Sequence, residues 1–254
     1  MSNHREHLDG VQWHVPDVGH FADPVLQLSL VRGLFNHTAP QYDLVNRLFS
    51  LGSGAWYRRT RLRWAGLQPG DRVVDVGAGT GLLAREAAAI TGDRRSVIGV
   101  DVSEAMLAIA RKNLGIPLIQ GAAEALPLAD GIADFVTMGF ALRHVADLRA
   151  AFREAIRVLR SGGTIVVLEI SAPRKKFSRI LASIYIGGFL PLLSLLMTRD
   201  SRARTLMRYH WERIVNCVPP EVVVQAMVDS GLRGADCWSE LDLFRCTVAR
   251  KAVD

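Results

Sequence analysis

Cysteine is scarce in this chain: Cys217, Cys237 and Cys246 are the only three in 254 residues, and their spacing is irregular. That excludes a disulfide scaffold and a thiolate metal site, and it fits a reducing compartment. Aromatic residues are few as well, at 7% of the composition, so nothing indicates a stacking surface for single-stranded nucleic acid. The stretch from Met1 to Pro24 has no apolar run of the kind a secretory leader needs. It reads as a polar, disordered tail, in which His4, His7, His14 and His20 form a weak metal tract at most. Charge imbalance is slight. Lys plus Arg number 31 against 25 Asp plus Glu, a net charge of +6 that favours acidic partners only weakly. No basic and aromatic module for RNA stands out, and the expected location is cytoplasmic.

With 49% apolar residues the chain can build a full core as one large domain. Pro24 to Asn36, Tyr42 to Phe49 and Ala55 to Ala65 read as helices of an N-terminal cap over residues 25–66. From Arg72 short apolar runs alternate with amphipathic stretches, the mark of βαβ units around a mostly parallel sheet. Strands are expected at Val73–Val76, Ser96–Val100, Pro117–Gln120, Ile132–Met138 and Thr164–Glu169. A helical insertion follows over residues 174–216. Within it Phe177 to Met197 is almost free of charge and is preceded by Arg174, Lys175 and Lys176. Its length reaches the about 18–20 residues of a membrane span. Gly187–Gly188 and Pro191 argue instead for two helices bent at Pro191, forming a lid or substrate groove that touches a bilayer surface. Ala235–Leu243 and Phe244–Ala249 close the domain as antiparallel strands.

The sharpest local signal is Val74–Asp75–Val76–Gly77–Ala78–Gly79–Thr80–Gly81, a strand that runs through three alternating glycines into a helix. Glycine permits a tight turn and close backbone approach to a ligand, and a helix start offers unpaired amides. Dinucleotide sites use a different glycine spacing. Here Asp75 precedes the glycines, an arrangement suited to the methionine part of S-adenosylmethionine (SAM). Its carboxylate would meet the turn's amides while Asp75 orients its ammonium. Asp101 ends the second strand, where a carboxylate can accept both hydroxyls of a ribose, and Met106 stands where it can pack beneath an adenine. Ser103 is the better cap for the helix that follows.

Beyond this turn the chain resembles the ubiquinone/menaquinone biosynthesis C-methyltransferase family from about Leu34 to Ser230. The resemblance rests on Phe35–Asn36–His37–Thr38–Ala39–Pro40–Gln41–Tyr42–Asp43–Leu44–Val45–Asn46, on Ser50–Leu51–Gly52 with Trp56, and on Glu124–Ala125–Leu126–Pro127–Leu128. Phe140–Ala141–Leu142–Arg143–His144, Val158–Leu159–Arg160–Ser161–Gly162–Gly163 and Leu168–Glu169–Ile170–Ser171–Ala172–Pro173 add to it. Departures are His144 in place of asparagine, Ala122 in place of an acidic residue, and His210–Trp211 in place of small or aliphatic residues.

The resemblance implies a doubly wound, Rossmann-like class I methyltransferase fold with N-terminal helices and a helical insertion after strand five. It also implies metal-free ring-carbon methylation of a prenylated hydroquinone. The expected cofactor set is Tyr42, Asp75, Gly77, Ala78, Gly79, Gly81, Asp101, Val102, Met106, Ala122 and Ala123. Expected catalytic residues are Arg143, which stabilises a phenolate or holds a water against it, and His144 or His210, which takes the proton. Arg143 has a simpler role open to it, pairing with Asp147. Two other functions stay open: O-, N- or C-methylation of a specialised aromatic or polyketide-like metabolite, and noncatalytic binding of SAM or lipid. The oligomeric state is open too, with a homodimer as one arrangement.

Overall fold

The computed structural model describes residues 5–8, 11–14, 24–198 and 200–253. The strands are β1 (Arg5–Leu8), β2 (Val11–His14), β3 (Val73–Val76), β4 (Val97–Asp101), β5 (Leu118–Gln120), β6 (Ala133–Gly139), β7 (Leu159–Ile170), β8 (Arg233–Glu240) and β9 (Phe244–Arg250). The helices are α1 (Pro24–Ser50), α2 (Gly54–Trp64), α3 (Leu82–Thr91), α4 (Glu104–Leu114), α5 (Leu148–Val158), α6 (Lys176–Ala182), α7 (Leu190–Thr198), α8 (Ser201–Val215) and α9 (Pro220–Asp229).

Seven strands form one sheet in the order β5-β4-β3-β6-β7-β9-β8, parallel from β5 to β7, with β9 antiparallel to both its neighbours. Successive side chains of a strand face opposite sides. Val74, Val136 and Val167 therefore join Phe152 of α5 and Met227 of α9 in one core layer. Val73, Phe135 and Val166 join Leu62 of α2, Leu83 of α3 and Leu114 of α4 in the other. Every residue of β3 is buried, as a central parallel strand covered on both faces requires. Strand order reverses between β3 and β6, and open α/β sheets bind ligands in the crevice at the strand ends at such a point.

Three expectations are corrected. Part of the stretch read as a disordered tail forms an antiparallel hairpin, β1 with β2, whose Val11 and Trp13 alternate with polar residues in the strand period. His4 and His20 lie outside the described residues. The two expected N-terminal helices are one, because α1 runs straight through Pro40. Proline removes the bond to the carbonyl four residues back. Burial of Thr38, Ala39 and Val45 offsets the loss, and the Thr38 hydroxyl donates to the Leu34 carbonyl at 2.9 Å. Finally, the apolar insertion does not bend at Pro191. Its irregularity is a π-helical stretch, Ser183–Phe189, that runs directly into α7, so Pro191 lies inside one continuous helix just past the change of hydrogen-bond register. At Gly187 a Cβ would stand 3.0 Å from Nε1 of Trp211, so the glycine lets α8 pack closely.

Candidate active site

Gly77, Gly79 and Gly81 all have positive φ (68°, 56° and 87°), which winds the turn after β3 back over the end of β4. A Cβ on Gly77 would lie 2.4 Å from Cβ of Ala141, whereas one on Gly79 would meet nothing within 4 Å. Four of the turn's amides, expected from the sequence to meet a ligand carboxylate, are bonded within the protein. Gly77 and Ala78 donate to the Val100 carbonyl at 2.8 and 3.0 Å, Gly79 to Oδ2 of Asp101 at 2.7 Å, and Gly81 to the Ala78 carbonyl at 2.8 Å. The positive φ angles aim these N–H groups inward at β4, so the loop is a rigid rim rather than an open anion nest.

Above that rim lies a cleft with about 760 Å³ of free space. Tyr42, Gly77, Gly79, Asp101, Val102, Met106 and Ala123 line it, as the sequence predicts of a cofactor site. Asp75, Ala78, Gly81 and Ala122 do not. Asp101 is fixed by Ser103 N on one oxygen (2.8 Å) and Gly79 N on the other (2.7 Å). A carboxylate has lone pairs beyond those two bonds and can take a vicinal diol. Burial pushes its pKa above the usual carboxylate range, against the backbone amides that pull it down. Ser103 caps α4 as expected, accepting from Met106 N at 3.2 Å.

Asp75 is buried on β3. Thr137 donates to its Oδ1 at 2.7 Å, while Oδ2 lacks a well-formed hydrogen bond and has only the nearby Ala84 amide to help hold its charge. Burial raises its pKa to about 7, with smaller opposing help from Thr137. A buried carboxylate with an open acceptor beneath a cleft is a favourable setting for a nearby cation. With Asp101, which has lone pairs to spare for a diol, and the open space at Gly79, these groups fit a nucleoside linked to an amino acid.

Helix α1 roofs the cleft. Leu28, Val31, Phe35 and Tyr42 share one face at helical spacing and line it. Polar contacts hold the roof: Gln27 Nε2 to the His144 carbonyl (3.2 Å), Ser103 Oγ and Ala105 N to Asn36 Oδ1 (2.7 and 3.2 Å) and Thr80 Oγ1 to Asp43 Oδ1 (2.6 Å).

A second cavity, of about 870 Å³, shares Tyr42 and Phe140 with the first. Phe140, missed by the sequence expectations, has φ of 62°, a strained value for an aromatic residue. Its amide donates to the Leu168 carbonyl at 2.7 Å, which holds the ring between the two spaces. Arg143 and His210 line the second cavity with Arg58 and Tyr57, while His144 lines the first.

Arg143 does not pair with Asp147, which instead caps α5 by accepting from Ala150 N at 3.0 Å. Its partner is Glu169, at the end of β7, another residue missing from the expected site. Glu169 takes the guanidinium on Oε1 along with Ile170 N (2.8 Å), and accepts Arg143 N on Oε2 (3.1 Å). Burial would lower the Arg143 pKa, but Glu169 reverses this and holds it above the ordinary arginine value.

Nη2 of Arg143 sits 3.3 Å from Nδ1 of His210. A guanidinium only donates, so Nδ1 accepts, and the contact assigns the proton of neutral His210 to Nε2. Burial first, then Arg143, pushes the His210 pKa down to about 3. Its lone pair is capped and its basicity low, which does not suit a general base. His144 stacks on Tyr209 (13° between planes, centroids 5.4 Å apart), with Nδ1 2.9 Å from the tyrosine hydroxyl and Nε2 buried without a partner. Burial and then Arg143 hold its pKa well below the usual histidine value.

The comparisons with known proteins agree with this geometry. Residues 25–236 match the model of the ubiE/COQ5 methyltransferase family. The chain is 33% identical over 221 residues to the ubiquinone/menaquinone biosynthesis C-methyltransferase UbiE of Shewanella sp. (strain W3-18-1), covering 84% of this chain and 87% of that one. Its identity to the protein of the same description from Shewanella frigidimarina (strain NCIMB 400) is 34%, with the same coverage. Among solved structures, a SAM-dependent methyltransferase of Thermotoga maritima, described as a possible histamine N-methyltransferase, superimposes with a TM-score of 0.58 at 22% identity, covering 87% of this chain and 99% of that one. A putative SAM-dependent methyltransferase of Methanococcus maripaludis gives 0.59 at 20% identity, covering 86% and 94%. At those identities the likeness speaks for the fold. The carboxylates beneath the cleft, the strand order and the family match converge: this chain is a SAM-dependent methyltransferase and belongs to the ubiE/COQ5 methyltransferase family.

Proposed function

We propose that the enzyme methylates a ring carbon of a hydrophobic hydroquinone or phenol, of the ubiquinone or menaquinone precursor type, held in the second cavity. The observation that carries this reading is the pair of cavities meeting at Tyr42 and Phe140. One is lined by the Asp101 carboxylate, with Asp75 buried behind it on β3; the other is mostly aromatic and aliphatic, with two buried guanidiniums and the Glu240 carboxylate at its edge. SAM, when bound, supplies an electrophilic methyl group, so the protein's task is to hold an electron-rich ring in line with it. In the first cavity Asp101 takes the ribose diol, Asp75 attracts the ammonium, and Met106, Val102 and Ala123 pack the base.

In the second, Arg143 and Arg58 stabilise the ring as its phenolate. Arg143 has Glu169 as counter-charge. Arg58 has no ion pair among the described residues: its Nη2 bonds to neutral Asn46 Oδ1 at 3.0 Å, its guanidinium lies 5.3 Å from the Phe140 ring centroid, Glu86 and Asp75 act on it only through space, and Glu240 of the lining is taken by Arg61 at 2.7 Å. The cavity thus carries surplus positive charge and lowers the pKa of a phenolic hydroxyl placed there. That removes the need for a strong base, and the proton leaves to water; His144, its pKa held well below the usual histidine value and its ring in the first cavity, suits the role no better than His210. His210 positions Arg143 rather than taking a proton. The work takes place in the cytoplasm, at a membrane surface, on an acceptor carrying an isoprenoid tail.

Purified enzyme is expected to transfer labelled methyl to a tail-bearing hydroquinone, with S-adenosylhomocysteine released and the label on a ring carbon by mass and NMR analysis. A label on oxygen or nitrogen, or no product with any hydroquinone while SAM binds, rejects the reading. Arg58→Met is expected to raise KM for the acceptor about tenfold, the value of roughly one charge-assisted hydrogen bond. SAM affinity measured by calorimetry should stay unchanged; a loss confined to SAM binding would move Arg58 to the cofactor side.

A further inference from the structure

The insertion was expected to groove the isoprenoid tail, yet no residue from Phe177 to Met197 lines either cavity. Its inner face, Ala182, Ile186 and Leu190, packs instead on Val45 of α1 and Leu206 of α8. A helix that is apolar all round is normally buried all round. This one is buried on one side only. Phe177, Ile180, Leu181 and Ile184 form an outer stripe at helical spacing and are mostly exposed, Phe177 at 78%. By length and composition Lys176–Ser194 is apolar enough to cross a membrane, but its packed inner face keeps it against the domain.

Two contacts tie this outer stripe to the mouth of the second cavity. Asp242 accepts the Arg174 and Lys175 amides at 2.8 and 3.1 Å, fixing the start of α6 beside the β8–β9 turn. Next to Asp242 in that turn stands Leu241, which lines the cavity and is 84% exposed at a φ of 52°. At the other end, Tyr185 donates to the Leu48 carbonyl at 3.5 Å, beside the cavity residue Phe49. The start of the stripe is thus fixed beside Leu241 and the helix just past its end beside Phe49, both of which line the second cavity, as does Trp56, 67% exposed.

We infer that the outer face of α6 and the Leu241 turn seat the enzyme on an anionic bilayer, with the second cavity opening onto the lipid so that the acceptor enters from the membrane. The choice of a bilayer rests on charge and continuity. Lys175, Lys176 and Arg179 stand among the apolar side chains, the pairing that anionic headgroups over acyl chains complement. The stripe is also held at both ends beside residues of the second cavity, where exposed Leu241 and Trp56 add apolar surface, an arrangement that serves a ligand already dissolved in lipid. The inference rests on the hydrophobic-acceptor reading above, but the seating itself can be measured without turnover.

The full chain should co-sediment with phosphatidylcholine vesicles containing phosphatidylglycerol and much less with phosphatidylcholine alone. Lys175→Glu with Lys176→Glu, or Phe177→Ser with Ile184→Ser, should lower that partitioning at least tenfold. Both double variants should keep wild-type turnover of a tail-less hydroquinone in solution and lose turnover of the tailed acceptor presented in vesicles. Tryptophan emission should shift to the blue on vesicles in the wild type, and Trp56→Phe should bind with most of that shift gone. Equal sedimentation of wild type and variants overturns the proposal, as does binding without a Trp56-dependent shift. A dimer abolished by the same variants overturns it in favour of a second copy. Failure to methylate any hydroquinone would sink the acceptor reading, leaving vesicle binding to decide the seating independently.

Discussion

Arg143→Ala is expected to abolish methyl transfer and to cost about 3–5 kcal/mol of folding stability, the toll of leaving a buried charge without its partner. Side chains of Arg143 and Glu169 are only 5% and 7% exposed, so Glu169 left alone would lose its bonded cation without gaining water; Arg245, opposite it on β9, is turned to Asp242. Urea denaturation should show the loss as a lower midpoint at unchanged slope. Adding Glu169→Gln to Arg143→Ala should recover most of the stability, because the stranded charge is gone, while activity stays absent. Glu169→Gln alone should keep part of the activity with weakened positioning of the guanidinium. His210 provides a second readout. With Arg143 removed, the second cause of its low pKa disappears, and an NMR titration should find it above the present value of about 3, still below an exposed histidine because burial remains. A stability loss under about 1 kcal/mol for Arg143→Ala would mean that the pair is solvated and the stranded-charge mechanism does not operate.

The same pair shows what the sequence could and could not disclose. Sequence proximity offered Asp147, four positions from Arg143, and the helix cap it forms is itself a local signal. Glu169 is 26 positions away and meets Arg143 only because β6 and β7 are adjacent and parallel. A signal existed: Glu169 closes the otherwise apolar run Thr164–Leu168, and a charge at the end of a buried parallel strand faces the crevice where ligands bind. The β3 turn was legible because strand, glycines and helix are contiguous. Which way its amides point was not, since that depends on β4 and its Val100 carbonyl. The prolines misled for one reason. Pro40 and Pro191 are locally helix-breaking, but tertiary burial carries α1 through the first, and the helix continues through the second, which follows directly on the π-helical stretch. Phe140 gave no warning, because its strained φ is imposed by the Leu168 carbonyl and by no pattern around it.

Asp75 leads to the second large expectation, in which cofactor affinity depends on pH. With its pKa raised to about 7 by burial, Asp75 in the free enzyme is mostly protonated below that value and ionised above it. A cofactor ammonium is attracted only by the ionised form, and in a low-dielectric interior that attraction needs no direct contact. SAM affinity should therefore climb about tenfold per pH unit below 7 and level off above it. On the alkaline side it should bend down again as the cofactor's own α-amino group titrates, at about 7.7–8.0. Asp75→Asn should flatten the acid limb and bind more weakly at neutral pH.

Stability should move the opposite way. A carboxyl whose folded pKa lies above its unfolded value stabilises the fold fully below the unfolded value of 3.8, and that contribution is lost as pH rises toward and through about 7. Asp75→Asn should thus raise Tm relative to the wild type above pH 7 and gain progressively less as the medium is acidified. The residue would then cost stability where it aids binding, the compromise expected of a buried functional carboxylate. Calorimetric titrations giving a pH-independent SAM affinity, together with Asp75→Asn unchanged in Tm at every pH, would remove Asp75 from the cofactor site.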